Sequence, residues 1–130
     1  MLAMALGPWF FDNGAEEIDP PKWEVTTMMI ARWQIDARFG HKQAALDLMR
    51  RWNDEFGSQV GWTPDKCRLL TGSVGALEST IQEEIAIKDL AELGESWEQL
   101  GKLEGHAEWG KEIEPYIVSG TPHWQIFRVI

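Results

Sequence analysis

A single cysteine, Cys67, stands among 130 residues. It excludes an internal disulfide and a cysteine-rich metal site, and it fits a reducing, cytoplasmic setting. Basic clusters are also missing. Twelve Lys and Arg face 21 Asp and Glu, for a formal net charge of −9, and no segment interleaves cations with aromatic residues. A chain of that sign repels phosphate backbones, so nucleic acid is not an expected partner. Long apolar runs are absent as well. The opening MLAMALGPWFF has no basic leader, is broken by Gly7 and Pro8, and is far shorter than a membrane span. It reads as an arm, and no membrane partner is expected. The sequence has no GxSxG, no phosphate-binding Walker loop and no GxGxxG after a strand; the GSVG at 72 to 75 falls inside a hairpin, where glycine serves bending. The three histidines show no HxxxH spacing, and with one cysteine they give no metal-ligand pattern.

What is present points to one soluble domain. Hydrophobic residues make up 44% and charged residues 25%, too apolar for disorder. Eight tryptophans supply large, rigid, half-polar surfaces suited to a core, an interface or an aromatic ligand. The polar, proline-paired DNGAEEIDPPK at 12 to 22 reads as a stiff linker, so residues 1–24 form an arm and linker and residues 25–130 the domain.

In VTTMMIARWQIDARF, residues 25 to 39, Ala31, Trp33, Ile35 and Ala37 alternate with Arg32, Gln34, Asp36 and Arg38, which predicts a strand with one apolar face. After Gly40 the period changes. Ala45, Leu48, Met49, Trp52 and Phe56 form one stripe of a helix stopped by Gly57. SQVGWTPDK reads as a loop, and CRLLTGSV with STIQEEIAIKD as a hairpin. Asp89 and Glu92 form a capping box for a second helix with Leu93, Trp97 and Leu100 as its buried stripe, and HWQIFRVI after Pro122 is the last strand. The order βαββαβ is the split βαβ arrangement of ferredoxin-like domains, α+β in class: a four-stranded antiparallel sheet with two helices on one face. Its other face needs a cover, and a second copy of the chain is the economical one.

The runs RFGHKQAALDLMRRW, EEIAIKDLAELGESWEQL and HAEWGKEIEPYIVSG resemble the dimeric α+β barrel superfamily, and within it the NIPSNAP-like proteins, over roughly residues 28 to 130. The resemblance implies a homodimer whose sheets pack face to face, with pockets between sheet and helices.

Gly101 and Gly105 before HAEWGKEIEPYIVSG, and Pro115 within it, weaken a continuous helix, which predicts a break and a short helix starting near His106, with His106, Trp109, Ile113 and Tyr116 on one side. His106 and His123 are the candidate acids or bases; each also reads as a histidine satisfied by backbone, and His41 reads as a surface residue at a helix start. On the polar strand face, Asp36 is a candidate base beside Arg38, and the same face also reads as a paired, polar dimer interface. Trp33, Trp97, Trp109 and Tyr116 are candidate walls, and equally ordinary core. The resemblance implies an enzyme that binds an aromatic or polyketide-like, hydrophobic small molecule and performs cofactor-independent, monooxygenase-like oxidation or cyclisation. It also implies two alternatives: a non-catalytic NIPSNAP-like scaffold, and a haem protein, since some dimeric-barrel haem monooxygenases place a histidine late in helix two after a tryptophan, as His106 follows Trp97. Those relatives use an Asn on strand one, where this chain has Gln34 and Asp36.

Overall fold

The computed structural model describes residues 29–130. The arm and linker expected at 1–24 lie outside these described residues. The elements follow the predicted order: β1 (Met29–Asp36), α1 (Lys42–Glu55), β2 (Cys67–Thr71), β3 (Thr80–Ile87), α2 (Leu90–Leu100), α3 (His106–Ile113) and β4 (His123–Arg128). The four strands form one antiparallel sheet in the order β2-β3-β1-β4, so the first strand lies inside and the hairpin partner β2 at an edge.

Alternation along β1 works as the sequence predicts. Ala31, Ile35 and Ala37 are buried under the helices with Ile81, Ile85 and Ile87 of β3. From α1 come Ala45, Met49 and Trp52, and from α2 Leu93 and Leu100. Removing this apolar area from water is what holds the layers together, at roughly 25 cal/mol per Å². The capping box forms as well: the Asp89 carboxylate accepts from the Glu92 N–H at 2.9 Å, while the Glu92 side chain reaches back to the Lys88 N–H at 2.9 Å.

Two details depart from the sequence reading. Trp97, expected in the buried stripe of α2, is 41% exposed, and Ser96 takes the inward place. At about 100° per residue, Ser96 and Leu100 fall on one side of Leu93 and Trp97 on the other, so the stripe passes beside the tryptophan. The expected loop after α1 holds a 3-10 turn, Gly57–Val60, and it buries Val60 and Trp62. Buried Ser96 donates to the Val60 carbonyl at 3.0 Å, tying this turn to α2.

The predicted break before His106 is present. Gly105 adopts φ 89°, a left-handed conformation that L side chains rarely take, and α3 starts at the next residue. Pro115 sits in a 3-10 turn, Glu114–Tyr116, after which Ile117 bridges to Ala37. Gly105→Ala would bring a Cβ to an ordinary 3.7 Å from Phe56, so the strain is in the backbone alone. We expect a loss of about 1 to 2 kcal/mol in chemical denaturation, with Gly105→Asn losing less. Equal stability of all three proteins would show that the turn tolerates other geometries.

Candidate functional site

Between the helix-side face of the sheet and the three helices lies a cavity of about 310 Å³. Five tryptophans line it: Trp33 from β1, Trp124 from β4, Trp52 from α1, Trp97 from α2 and Trp109 from α3. Trp33 and Trp124 are cross-strand partners, which puts both rings on the same face. The half-exposed Trp97 meets Trp124 edge to face at 5.2 Å and stands at the outer side of the cavity wall. Met49, Ile85 and Leu100 complete an apolar lining, and the ionisable groups in it are His106 and Glu83.

His106 is fixed from several sides. The Trp52 indole N–H donates to its Nε2 at 3.0 Å, Phe56 packs edge-on at 5.3 Å and Trp109 stacks at 6.2 Å. Since Nε2 accepts, the ring proton sits on Nδ1, for which the described residues offer no hydrogen-bond partner. Burial holds the imidazole below its ordinary value, so the neutral form dominates at neutral pH. His106 therefore presents an N–H and keeps its lone pair engaged. Trp109 is anchored independently, its indole N–H donating to the Leu48 carbonyl at 2.8 Å.

Glu83 is the residue that the sequence reading left out. Its cross-strand neighbours are Trp33 and Leu69, and it is 1% exposed on the apolar face. Among the described residues neither carboxyl oxygen has a partner in hydrogen-bond geometry. Burial pushes the carboxyl up to about 8, and Asn53, outside hydrogen-bond geometry, opposes that rise. Glu83 is thus mainly a neutral carboxylic acid at neutral pH. A signal for it existed: in TIQEEIAI two adjacent glutamates must point to opposite faces, and the isoleucines at 81, 85 and 87 assign Glu83 inward.

The sequence-predicted residues divide into two groups. His106, Trp33, Trp97 and Trp109 come together at the cavity. Asp36 lies on the opposite sheet face and its carboxylate accepts from the Thr80 hydroxyl at 3.0 Å. Arg38 donates through Nε to the Ile117 carbonyl at 3.1 Å and lines a more open groove that meets the cavity at Trp33 and Trp109. His123 is exposed, its Nδ1 2.8 Å from the Thr121 carbonyl oxygen, and Tyr116 packs on His41 at 5.5 Å. Strand alternation causes the separation, because Asp36 and His123 share parity with the polar set.

That polar face is internally paired. Glu84 accepts from Arg68 Nε at 2.8 Å and from Arg32 Nε at 2.9 Å. Burial works to raise its carboxyl, and the hydrogen bonds and charges of Arg68 and Arg32 outweigh it, leaving a net lowering. Gln82 donates to Gln34 at 2.6 Å, and the Arg32 guanidinium lies 4.8 Å from the Phe127 ring centre.

Among the described residues no three His, Cys, Asp or Glu side chains converge as a metal site, and no helix is long and apolar enough to cross a membrane. Haem does not fit the cavity. The Nε2 lone pair that an iron would take is held by Trp52, and about 310 Å³ suits one or two fused rings rather than a porphyrin.

No family model and no curated protein matches the sequence. Solved structures do match. A NIPSNAP family protein from Agrobacterium tumefaciens superposes with a TM-score of 0.66 at 15% identity, covering 79% of this chain and 93% of that one. A protein from Nitrosomonas europaea, described as a candidate antibiotic biosynthesis monooxygenase, gives 0.56 at 8% identity, covering 79% and 99%. A dimeric protein of unknown function and ferredoxin-like fold from Bacteroides fragilis gives 0.55 at 9% identity, covering 78% and 96%. At these identities the likeness is one of fold: the chain has a ferredoxin-like fold similar to that of NIPSNAP family proteins.

Proposed function

We propose that this chain is a small homodimeric enzyme that binds a flat, apolar aromatic or polyketide-like molecule between sheet and helices and moves a proton on it. The observation that carries this reading is the cavity itself: five tryptophans enclosing about 310 Å³, with His106 and Glu83 as its ionisable groups. A volume of this size lies at the lower end of ligand pockets, and apolar walls with a few polar groups are their usual composition. The chemistry suits a ring that carries an acidic hydroxyl or an enolisable ketone. The ionised fraction of Glu83, about a tenth at neutral pH, takes the proton, and the His106 Nδ1–H donates to the oxygen on which charge develops. The electron-rich anion then closes a ring by adding to a carbonyl carbon of the same molecule, whose C=O π pair becomes a hydroxyl with the proton that Glu83 returns, or it gives four electrons to dioxygen. In that case the ring C–H becomes C=O with one oxygen atom, while the other leaves as water with the hydrogens lost from that carbon and from the hydroxyl. The second outcome is the type that the Nitrosomonas europaea neighbour's description names.

The homodimer reading has its own support. The polar face of the sheet carries mutually paired charges and is not covered by the helices of the described residues, and a neighbour in fold is dimeric. Light scattering is expected to give twice the chain mass at micromolar concentration, and a monomer would remove the face-to-face barrel. For the cavity, calorimetric titration with naphthalene and with 1-naphthol is expected to show one site per chain, weakened about tenfold or more by Trp109→Ala. No heat with either compound, nor with the polar two-ring probes described below, would sink the enzyme reading in favour of a scaffold.

A further inference from the structure

We infer that the cavity selects uncharged flat ring compounds carrying a carbonyl beside a hydroxyl or an N–H, and that the buried Glu83 carboxyl in its wall is the group that reads this edge. The inference rests on the cavity being a ligand site and adds what the ligand must look like. Glu83 is 1% exposed, and among the described residues neither of its oxygens has a partner in hydrogen-bond geometry, Asn53 being the polar side chain that acts on it, although unpartnered polar atoms in protein interiors are rare and costly. Among the described residues no Lys or Arg lines the cavity, so an anionic ligand would meet no countercharge from them. A cation would find tryptophan faces, but His106 offers it only an N–H, because Trp52 already holds the imidazole lone pair. What remains is a matching set. A protonated carboxyl supplies one O–H donor and one carbonyl acceptor side by side, and a lactam or a hydroxyl next to a ring ketone supplies the complementary acceptor and donor. The apolar walls strengthen that pair of hydrogen bonds by excluding water.

Four two-ring probes of nearly one shape test this: 2-quinolone, N-methyl-2-quinolone, 2-naphthoate and N-methylquinolinium, titrated calorimetrically at about pH 6 and about pH 10, two units either side of the Glu83 carboxyl. The expected order is 2-quinolone first, with N-methylation and the anionic naphthoate each losing about tenfold or more, and with 2-quinolone itself losing about tenfold at the higher pH. Glu83→Gln, which keeps a donor and an acceptor, should bind 2-quinolone equally at both pH values, and Glu83→Leu should bind both quinolones alike. Tightest binding by N-methylquinolinium, growing with pH, would overturn the inference and make the cavity an aromatic cage for organic cations. Equal affinity for the two quinolones in the native protein would also overturn it, while leaving the cavity a ligand site. Silence from all four probes, naphthalene and 1-naphthol would remove the ligand site itself.

Discussion

Glu83→Gln is expected to raise stability in mildly alkaline solution by a few kcal/mol and to change it little near pH 4.5. The native carboxyl is raised from 4.5 to about 8, chiefly by burial. Below 4.5 it is protonated in the folded and unfolded chain alike and contributes no pH dependence. Between 4.5 and about 8 the unfolded chain gives up the proton that the folded chain keeps, so stability falls by about 1.4 kcal/mol per pH unit. Above about 8 both forms are ionised, the slope vanishes, and the full penalty of up to about 5 kcal/mol remains. Glutamine fills the same space without a proton to lose, so that slope should be missing from the variant. Urea denaturation at several pH values reads it directly. Parallel pH profiles for the two proteins would show that water or a neighbour satisfies Glu83.

His106→Leu should reduce both ligand affinity and turnover by about tenfold or more and cost about 1 to 3 kcal/mol of stability through the unpaired Trp52 N–H. Leucine fills the space between Phe56 and Trp109 but can neither accept from Trp52 nor donate into the cavity. His106→Gln separates the two roles, since a glutamine amide can accept from the indole through its oxygen and still donate through its nitrogen. Substantial recovery by Gln would assign His106 as a hydrogen-bond donor that positions and polarises; no recovery would assign it proton transfer. Trp52→Phe removes the indole donor and should raise the imidazole toward its ordinary value, visible in an NMR titration of the ring. Full activity of a well-folded His106→Leu protein would exclude the residue from the site.

The fold was legible because its signals were local. The alternation through Ala31, Trp33 and Ile35, the stripe from Ala45 to Phe56 and the Asp89–Glu92 cap each state an element within one stretch of chain. The site was legible only in part, since a cavity is made by residues distant in sequence. His106 and three of its tryptophan walls could be placed from helix spacing and strand parity. Asp36 stands on the polar face by its own parity, and the pairing of β1 with β4 places His123 there too, opposite Gln34 and away from the cavity. Glu83 was passed over because a charged residue in a strand is ordinarily read as solvent-facing, and only the parity of the flanking isoleucines overrides that expectation. Trp97 shows the opposite error, as a large aromatic residue near a buried stripe was read into it.

The tryptophans also have an optical consequence. From Trp97 to Trp124 to Trp62 to Trp52 to Trp109 the successive ring centres are 5.2, 6.2, 5.6 and 6.2 Å apart. Indoles this close do not absorb as isolated chromophores. Their transition dipoles couple, so the folded chain should show a split exciton band in circular dichroism superimposed on the helix and sheet signal. Excitation entering at any member migrates along the row, from the half-exposed Trp97 to Trp109 against His106. A guest that perturbs one ring would alter the spectrum of the whole set.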